Sequence, residues 1–513
     1  MIATNVRRLG LYLMLSFAAV SASIVWWQVI EARSLSVRPD NPEVIAARRS
    51  LQRGTIFDAT GQVLASSQVT DGLSRRTYAD PAFTHVIGYA SLRFGSTGIE
   101  AAYEDVLIGQ TDPNPLRELL SDVLDRQPQP RDLVLTIDRR LQDFAAAQLQ
   151  GDAGAVVAID PQTGALLAMV SSPTFDATPI SGDPDLAQGP MDALRSDASE
   201  PLLSRARQGR YVPGSILKVF TAAAALDSGT ITPQTTFPDQ PQQEIDGFVV
   251  DGFTIREHDL GNIQPALWPL SEALQASSNI YFAHVGLELG GERFLEYGRR
   301  FGFCAPLQIG PPSRALAVAP SHLTQPEGDD CGPFSGPVEL ATASFGQGST
   351  VVTPVQMALL AAAIADEGVM PRPYVVSEVR AHSDGTETSD TVLETFGSPG
   401  GTRVTSSQAA RETRAAMVDA VNGPLGRQFA GQADITLYGI SNARSAGKTG
   451  TAQLGGEQAP HSWFIGFAPG EEGATPTIAV AVLVESGGSG SGRAAPIGGA
   501  VMAEWLRLSA EGG

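Results

Sequence analysis

The sequence predicts an α+β protein whose main domain is one antiparallel sheet flanked by helices. Three observations support this fold class. The stretch from 153 to 172 has the pattern of a β-hairpin, alanine-rich helical runs occupy the middle of the chain, and three strand-like runs followed by a helix close it. Strands at both ends of a domain, with helices between them, are typical of a single sheet covered by helices. The length of 513 residues indicates two or three domains.

The chain begins with an apolar segment long enough to cross a membrane. Residues 9–30 carry no charge, and as a helix they would extend about 33 Å, against about 30 Å for the hydrocarbon core of a bilayer. Two arginines precede this segment and two tryptophans lie near its far end, which predicts a cytoplasmic tail (1–8), a transmembrane helix (9–30) and all later residues outside. A cleaved signal peptide is the alternative, because small residues occur at 21–23. The apolar run continues past them, which favours an anchor.

Residues 31–130 are predicted to be a linker followed by a small mixed module. A polar, proline-containing stretch at 31–50 forms the linker. Residues 53–67 have the pattern of a strand, a tight turn and a second strand, and residues 95–109 that of a glycine turn followed by a helix. A further helix and a proline-marked break are expected within 113–132.

Residues 131–513 are predicted to form one larger domain. It opens with a strand, an N-cap at Asp138 and a helix, followed by the hairpin. Helices are then expected at 216–227, 267–289 and 354–366, closing strands within 445–453, 462–469 and 477–485, and a last helix within 494–508. The glycine- and serine-rich stretch 486–492 is expected to be a loop between strand and helix.

Composition argues against several classes of function. A net charge of −20 with only short, scattered arginine pairs is unsuited to binding nucleic acid. The six histidines are dispersed and the two cysteines form no CxxC motif, so that neither a metal nor another cofactor is expected. Outside the membrane, Cys304 and Cys331 could form a structural disulfide.

Lysine is rare in this chain. Lys and Arg total 35, and only Lys218 and Lys448 are lysines, which leaves 33 arginines (35 minus 2). A codon bias towards arginine explains the scarcity but not the two positions. Since a buried lysine can lose its proton whereas an arginine cannot, both lysines are candidates for chemistry.

Ser215 and Lys218 form the first candidate pair. Pro213 and Gly214 interrupt the chain and a helical run follows, so that Ser215 lies in a first turn where backbone N–H groups are unpaired and the dipole favours negative charge. Lys218 is three residues further along, on nearly the same face. A neutral Lys218 could serve Ser215 as a base without a histidine. Taken alone, the pattern is more typical of ordinary helix capping by serine.

Two further patterns place hydroxyl, amide or ammonium groups close together in the sequence. Ser277 and Asn279 interrupt a largely apolar stretch, as a helix–helix junction also would. Lys448 begins a strand-like run with Thr449, Gly450 and Thr451, in which an ammonium group and two hydroxyls suit the binding of a carboxylate. A glycine inside a strand often marks the close approach of a ligand or another backbone. An ordinary lysine on a sheet edge is the alternative.

The three patterns together are far more specific than each one alone. Ser-x-x-Lys is followed by Ser-x-Asn 62 residues later (277 minus 215) and by Lys-Thr-Gly near the C-terminus, which is the signature of the penicillin-recognising serine enzymes. The chain therefore resembles the class B penicillin-binding proteins, which are monofunctional peptidoglycan transpeptidases. The stretches "RGTIFDATGQVLA", "ASFGQGSTVVTPVQMALLAAAIADEG" and "SWFIGFAP" extend the resemblance to nearly the whole chain after the apolar segment. The short membrane-proximal module is most similar to that of the penicillin-binding protein A type.

The resemblance implies a fold, an activity and a set of site residues. The fold is a pedestal module followed by a transpeptidase domain with an all-helical lobe, and the activity is cross-linking of stem peptides through a serine acyl-enzyme, with release of D-alanine and covalent inhibition by β-lactams. The implied catalytic residues are Ser215, Lys218, Ser277, Asn279 and Lys448, and the implied substrate-binding residues are Thr449, Gly450 and Thr451. The backbone N–H groups of Ser215 and Thr451 are the implied oxyanion hole.

The resemblance leaves some alternatives open and implies a partner. A D,D-carboxypeptidase or a β-lactamase could share all three motifs, but the predicted anchor, the module and the chain length favour a transpeptidase. A scaffold without its own activity would not need the intact triplet. Because no glycosyltransferase module precedes the transpeptidase region, the implied partner is a SEDS-family polymerase that contacts the transmembrane helix and the 31–130 module. The implied location is the bacterial plasma membrane; a role in elongation, division or sporulation stays open.

Overall fold

The computed structural model describes residues 2–27, 51–70, 73–110, 129–261, 263–328, 330–383, 387–397, 400–456 and 458–511. The predicted linker at 31–50 and the part of the predicted helical segment at 113–128 lie outside these residues. The apolar N-terminal segment is one helix, α1 (Ile2–Val25), whose side chains from Val6 onwards are exposed. Residues Val6–Val25 are long and apolar enough to cross a membrane.

The predicted small module contains paired strands and short helices. The predicted strand–turn–strand is present, since strands β1 (Ile56–Phe57) and β2 (Val63–Thr70) pair in antiparallel fashion. In the turn between them the Asp58 carboxylate accepts the backbone N–H groups of Thr60 and Gln62. The predicted helix after the glycine turn is divided into two at Tyr103. The elements of the module are β1 (Ile56–Phe57), β2 (Val63–Thr70), β3 (Leu73–Tyr78), α2 (Thr84–Ile87), β4 (Ala90–Ser91), β5 (Gly95–Ser96), α3 (Gly98–Ala102) and α4 (Glu104–Leu107).

A buried ion cluster holds this module together. The Glu100 side chain is completely buried, and its carboxylate accepts hydrogen bonds from Arg76 Nε at 2.6 Å and from Arg53 Nε at 3.0 Å. Tyr78 adds a hydrogen bond through its hydroxyl at 3.3 Å. Burial acts to raise the pKa of Glu100, but Arg76 and Arg53 outweigh it and the pKa is lowered. A buried charge of this kind is tolerated because both of its oxygens are paired.

The first part of the larger domain follows the predicted order. The Asp138 carboxylate caps the predicted helix by accepting the Arg140 backbone N–H at 2.8 Å, and the predicted hairpin is formed. The elements up to residue 246 are β6 (Arg131–Leu135), α5 (Arg139–Leu149), β7 (Gly154–Ile159), β8 (Leu166–Ser172), α6 (Thr178–Ser181), α7 (Gln188–Ser196), α8 (Lys218–Asp227) and α9 (Gln240–Asp246). A 3₁₀ turn at Gly214–Leu217 leads directly into α8.

The middle of the domain is mostly helical. The helix predicted at 267–289 is present as two helices, α10 and α11, which are separated by residues 276–278. The elements are β9 (Phe248–Val250), β10 (Phe253–Ile255), α10 (Leu270–Gln275), α11 (Asn279–Leu289), α12 (Gly291–Arg300), β11 (Leu307–Gln308), β12 (Ala317–Val318), β13 (Pro326–Glu327), β14 (Asp330–Cys331), α13 (Pro337–Ala343) and α14 (Pro354–Ala365). Cys304, in the turn after α12, and Cys331 in β14 form a disulfide, in agreement with the pairing considered from the sequence.

The last part of the chain supplies strands to two sheets. Its elements are β15 (Val369–Met370), β16 (Val376–Ala381), β17 (Val392–Thr395), β18 (Thr402–Arg403), α15 (Ser407–Asn422), α16 (Arg427–Ala430), β19 (Ala446–Ala452), β20 (His461–Ala468), β21 (Ile478–Val484) and α17 (Ala494–Glu511). The three closing strands and the last helix were predicted, whereas β16 and β17 were not.

The central sheet has five antiparallel strands in the order β19-β20-β21-β7-β8. The predicted antiparallel sheet flanked by helices is thereby confirmed. Neighbouring residues of a strand point to opposite faces, and both faces are buried: Val157 packs into the core on the side of α14, and Val156 into a second core with α5 and α17. Because the sheet is covered on both sides, β21 is an uninterrupted apolar run rather than an alternating one.

The second sheet joins the small module to the larger domain. Its six strands lie in the order β17-β16-β6-β1-β2-β3, so that strands from beyond residue 375 extend the sheet of the module. The predicted boundary at residue 130 thus falls between strands of one sheet. Hydrogen bonds between β1 and β6 cross this boundary. The division of the chain into domains at residue 130 stays a prediction.

Candidate active site

Ser215 is presented by a turn that packs against the edge strand β19. The 3₁₀ turn Gly214–Leu217 begins at a glycine with φ of +58°, a backbone conformation that side chains with a Cβ disfavour. A Cβ on Gly214 would also lie 3.0 Å from the carbonyl oxygen of Thr451. The glycine therefore allows the turn to approach the strand, with Ser215 half-buried at the cleft.

Lys218 is the first residue of α8, and its side chain is completely buried. Its amine lies 3.0 Å from the Ser215 hydroxyl oxygen and donates to Asn279 Oδ1 at 2.8 Å. The carbonyl oxygen and the hydroxyl of Ser277 are its other partners, the hydroxyl at 3.3 Å. Every polar partner of this amine thus belongs to one of the predicted motifs.

Ser277 occupies a sharp turn between α10 and α11. It has a φ of +58°, which is uncommon for a residue with a side chain. Ser278 is the N-cap of α11 and accepts the Tyr281 backbone N–H at 3.0 Å, which leaves Asn279 in the first helical turn. The helix–helix junction considered from the sequence is present, and its left-handed residue places the Ser277 hydroxyl near both lysines.

Lys448 reaches the same hydroxyl from the opposite side. Its amine donates to Ser277 Oγ at 2.8 Å and to the Thr449 carbonyl oxygen at 3.0 Å. Gly450, two residues further along β19, faces the turn that carries Ser215: a Cβ there would lie 2.8 Å from the Pro213 carbonyl oxygen. The close approach of a backbone, expected from a glycine within this strand, is present.

The predicted site residues meet at one cleft of about 790 Å³. The cleft is lined by Ser215, Ser277, Asn279, Thr449 and Thr451, and the two lysines lie behind them. Residues far apart in the sequence are joined by a continuous series of hydrogen bonds from Ser215 through Lys218 and Ser277 to Lys448. Such an arrangement can move a proton away from Ser215 and deliver it to a group in the cleft.

Burial changes the proton affinity of both lysines. It lowers the pKa of Lys218 to about 7, with the negative charge of Glu257 acting in the opposite direction. Burial also lowers the pKa of Lys448 well below its usual value, and the nearby charge of Lys218 lowers it further. The two amines share the Ser277 hydroxyl, so that a positive charge on one disfavours a positive charge on the other. A neutral amine beside Ser215 is therefore accessible near neutral pH.

Two parts of the cleft wall were not predicted from the sequence. Glu257 accepts the Ser278 hydroxyl at 2.7 Å and the backbone N–H of Asn279, although it lies outside all three motifs. The glycine-rich loop 486–492, expected only as a connection, lines the cleft with Ser489 and Ser491, and its Gly490 N–H donates to Thr451 Oγ1 at 3.2 Å. Neither had a local signal, because a single Glu and a Gly/Ser loop are common in any sequence.

Metal ligands are not clustered in the part of the chain that the structure describes. There, no group of three or more His, Cys, Asp or Glu side chains is arranged to hold an ion.

Two family models match the chain. Residues 154–503 match the penicillin binding protein transpeptidase domain, and residues 53–133 match the penicillin binding protein A dimerisation domain. A peptidoglycan D,D-transpeptidase PbpA from Mycolicibacterium smegmatis is 34% identical over 98% of this chain and 99% of its own length. The peptidoglycan D,D-transpeptidase MrdA from Haemophilus influenzae is 29% identical over 80% of this chain and 63% of its own length.

Solved structures agree with these matches. Penicillin-binding protein A from M. tuberculosis, as an imipenem acyl-enzyme complex, superposes with a TM-score of 0.76 at 32% identity, covering 90% of this chain and all of the other. The penicillin G acyl-enzyme complex of the same protein gives 0.74 at 31% identity, covering 89% of this chain and 100% of the other. The matched domain, the full-length relatives and the shared fold establish that this chain belongs to the penicillin-binding protein transpeptidase family.

Proposed function

We propose that this protein is a peptidoglycan D,D-transpeptidase that cross-links stem peptides through an acyl-enzyme on Ser215. The observation that carries the proposal is the convergence of Ser215, Lys218, Ser277 and Lys448 on one cleft. Relatives that match nearly the whole chain are named peptidoglycan D,D-transpeptidases, and a solved relative forms acyl-enzymes with imipenem and penicillin G.

Acylation begins with the neutral amine of Lys218. Its lone pair takes the hydroxyl proton of Ser215, 3.0 Å away, as the serine oxygen attacks the carbonyl carbon between two terminal D-alanines. The backbone N–H groups of Ser215 and Thr451 are the proposed donors to the developing oxyanion, and one such donor contributes roughly 3 kcal/mol to the stability of a transition state. Asn279 orients Lys218 through the hydrogen bond from the amine to Oδ1 at 2.8 Å.

Release of the first product needs a proton at the leaving amine. Ser277 is placed for this role because its hydroxyl lies 3.3 Å from the Lys218 amine and 2.8 Å from that of Lys448. When the C–N bond breaks, the Ser277 hydroxyl gives its proton to the departing D-alanine and is reprotonated by the Lys218 ammonium group. The product is an ester between Ser215 and the shortened stem peptide.

The transfer step reverses this path with a second amine. An amine of a neighbouring stem attacks the ester carbonyl, its proton passes to the lysine–serine pair, and Ser215 leaves with a proton, so that an amide cross-link forms. β-Lactams imitate the donor and stay attached as the ester. Thr449, Gly450 and Thr451 are the proposed binding strand for the terminal carboxylate, and a carboxylate there would stabilise the ammonium form of Lys448.

A D,D-carboxypeptidase or a β-lactamase of the same fold is the alternative. Both form the same ester and then admit water. The full-length match to named transpeptidases favours transfer to an amine. Mass spectrometry of the penicillin adduct separates the classes: an adduct lost to water within minutes would contradict the transpeptidase assignment.

Replacing Ser215 with alanine tests the nucleophile. Ser215→Ala is expected to abolish covalent labelling by a fluorescent penicillin, with the adduct in the wild-type protein mapped to Ser215 by mass spectrometry. Ser196→Ala, which removes an exposed hydroxyl at the end of α7 and away from the cleft, is the control and should still be labelled. Labelling of Ser215→Ala would overturn the assignment.

We also propose that α1 anchors the protein in the plasma membrane as a single span, with the N-terminus in the cytoplasm. The length and apolar character of Val6–Val25 and the preceding arginines support this orientation. A variant that begins at residue 31 should remain in the soluble fraction and keep penicillin labelling. Recovery of that variant in membranes would contradict an anchor confined to α1.

The proposed partner is a SEDS-family glycosyltransferase. The support is indirect: the matched regions are a transpeptidase domain and a small N-terminal module, and neither is a glycan polymerase. We propose contact through α1 and the 31–130 module, with the transpeptidase domain taken as 131–513. Co-purification of a polymerase with the full chain, and its loss when α1 is exchanged for an unrelated span, is the expected result; unchanged recovery would exclude α1 from the contact.

A further inference from the structure

A short segment after strand β10 holds the turn that carries Ser277. Three consecutive residues of this segment contact the chain on both sides of Ser277. The Arg256 carbonyl oxygen accepts the Asn279 side-chain N–H at 3.2 Å, and the His258 Nε2 lies 2.9 Å from the Ala276 carbonyl oxygen.

Glu257, between these two residues, makes the densest set of contacts. One oxygen of its carboxylate accepts the backbone N–H of Asn279, and the other accepts the Ser278 hydroxyl at 2.7 Å and the Ile280 backbone N–H at 3.4 Å. A carboxylate at the first turn of a helix satisfies N–H groups that have no partner within the helix. The start of α11 is thereby fixed on the wall of the cleft.

The turn needs such support because of its backbone conformation. Ser277 has a φ of +58°, and a residue with a side chain keeps this conformation only where its surroundings impose it. The position of the Ser277 hydroxyl between Lys218 and Lys448 depends on this turn. If the turn relaxed, the hydroxyl would leave the series of hydrogen bonds that the proposed mechanism uses.

We propose that Glu257 is a positioning residue for the acylation reaction, which holds Ser277 and Asn279 against the two lysines through its hydrogen bonds and its charge. The proposal rests on the function proposed above. Glu257 does not touch the reacting atoms, and it acts through the turn.

The charge of Glu257 has a second, separable effect. The charged or titratable groups that face Lys218 are Lys448 from β19 and Glu257 and His258 from the segment after β10. Since the Glu257 anion stabilises the ammonium form of Lys218, its removal lowers the pKa of Lys218 further. The neutral base is then present at a lower pH, although the turn around it is less well held.

The test compares Glu257→Gln, Glu257→Asp and the control Asp251→Asn. Asp251 is an exposed residue in the turn of the same β9–β10 hairpin, so that its substitution removes an equal charge. The second-order rate constant for acylation by a fluorescent penicillin is measured from pH 5 to pH 9, as is hydrogen exchange of the peptide that contains the Asn279 and Ile280 amides.

Glu257→Gln is expected to lower the plateau rate by about 100-fold, because small misplacements of catalytic groups have effects of this size. The acid limb of its profile, which is the range in which the rate falls as the pH is lowered, should lie at a lower pH than in the wild type. The backbone amides of Asn279 and Ile280 should exchange about 10-fold faster or more. Glu257→Asp keeps the charge, so that its acid limb should stay in place while the plateau falls. Asp251→Asn should match the wild type in all three measurements.

Unchanged exchange at Asn279 and Ile280 together with an unchanged plateau in Glu257→Gln would overturn the proposal. A second result would also overturn the proposal: in Glu257→Gln the plateau rate falls, the pH at half of the plateau rate stays as in the wild type, and hydrogen exchange becomes faster over the whole domain. Glu257 would then contribute only to the general stability of the domain. If the wild-type protein formed no adduct at all, the proposed function would fail, while the exchange of the two amides would still decide whether Glu257 holds the turn.

Discussion

The chemistry of the site depends on two amines placed close together in a buried environment. Lys218 and Lys448 share the Ser277 hydroxyl, at 3.3 Å and 2.8 Å. Two ammonium groups in such an environment repel each other, and neither is well solvated. The neutral state of at least one amine therefore follows from the fold itself, without a histidine or a metal.

The rate of acylation should rise with pH through the pKa of Lys218, which burial lowers to about 7. The sign follows from the chemistry: the base is the neutral amine, whose population is small below this pKa and complete above it. The measurement is the pH dependence of the second-order rate constant for labelling by a fluorescent penicillin.

Lys218→Arg is the matched variant for this prediction. Arginine keeps the positive charge and cannot deprotonate in this pH range. The rate constant for acylation is expected to fall by about 1000-fold because a general base is lost. The decrease of the rate below pH 7 should also be absent from the profile of this variant. A wild-type profile that is flat between pH 5 and 9 would contradict the role of Lys218.

At the residue scale, the sequence predicted the groups for which we propose catalytic roles but not Glu257, the proposed positioning residue. Ser215, Lys218, Ser277, Asn279 and Lys448 were recognisable because their types and spacings recur as a signature. Glu257 had no such signal, since its hydrogen bonds to the turn at 277–280 exist only after two distant segments have packed together.

At the scale of elements, the active site depends on how closely a turn and a strand approach each other. The turn Gly214–Leu217 packs on β19, and glycines on both sides allow the contact. The edge position of β19 leaves one side of this strand facing the cleft rather than another strand.

Gly450→Ala should separate this turn from the strand. The added Cβ would lie 2.8 Å from the Pro213 carbonyl oxygen and 3.1 Å from Ile216 Cγ2, so that the turn bearing Ser215 must shift. Acylation by a fluorescent penicillin should fall by about 100-fold, because a displacement of about 1 Å is enough to misalign the nucleophile. Stability should fall by about 1–3 kcal/mol, the usual effect of overpacking, as measured by thermal unfolding.

Gly189→Ala serves as the control for this substitution. Gly189 lies in helix α7, and a Cβ there would meet no atom within 4 Å. Its labelling rate should equal that of the wild type. Equal labelling of Gly450→Ala and the wild type would show that the close approach has no part in aligning Ser215.

The elements differ in how well they could be predicted. The hairpin β7–β8 and strands β19, β20 and β21 were predicted, because long apolar runs bounded by turn residues are a strong local signal. The helical run expected at 267–289 begins at Leu270 and contains the helix–helix junction considered from the sequence, but the left-handed conformation of Ser277 in that junction had no signal in the sequence. Strands β16 and β17 were missed because β16 is buried at only two of its six positions and β17 is exposed throughout, so that neither has a long apolar run.

For the molecule as a whole, the six-stranded sheet couples the small module to the transpeptidase domain. Strand β6 lies between β1 of the module and β16 of the larger domain. A loss of order in the module therefore removes hydrogen-bond partners from the larger domain. Unfolding of the two parts should be coupled rather than independent.

Glu100→Gln should destabilise the whole protein by about 3–5 kcal/mol at neutral pH, because it leaves the buried Arg76 without its anion and Arg53 with only the partly exposed Glu104. Calorimetry should show one transition at a lower Tm. The pKa of Glu100 is lowered in the folded state, so that its contribution is complete above the ordinary pKa of a Glu and is lost as the pH falls through the folded value. The difference between variant and wild type should accordingly shrink in acid.

Glu104→Gln is the control, since Glu104 lies 3.5 Å from Arg53 with its side chain partly exposed. A partly exposed ion pair of this kind contributes about 0–1 kcal/mol, so that its Tm should change little. Two separate transitions in Glu100→Gln would show that the shared sheet does not couple the two parts.

The sequence by itself determined the class of protein and the strands of the central sheet, and it pointed to the side chains for which we propose catalytic roles, because apolar periodicity, turn residues and motif spacing are local properties. The tertiary structure alone decided which of these groups share a hydroxyl, which lysine is desolvated and that Glu257 holds the turn at Ser277. It also decided that β16 and β17 complete the sheet of the small module. These features depend on contacts between segments far apart in the chain, and the burial that shifts a pKa exists only once those segments have packed together.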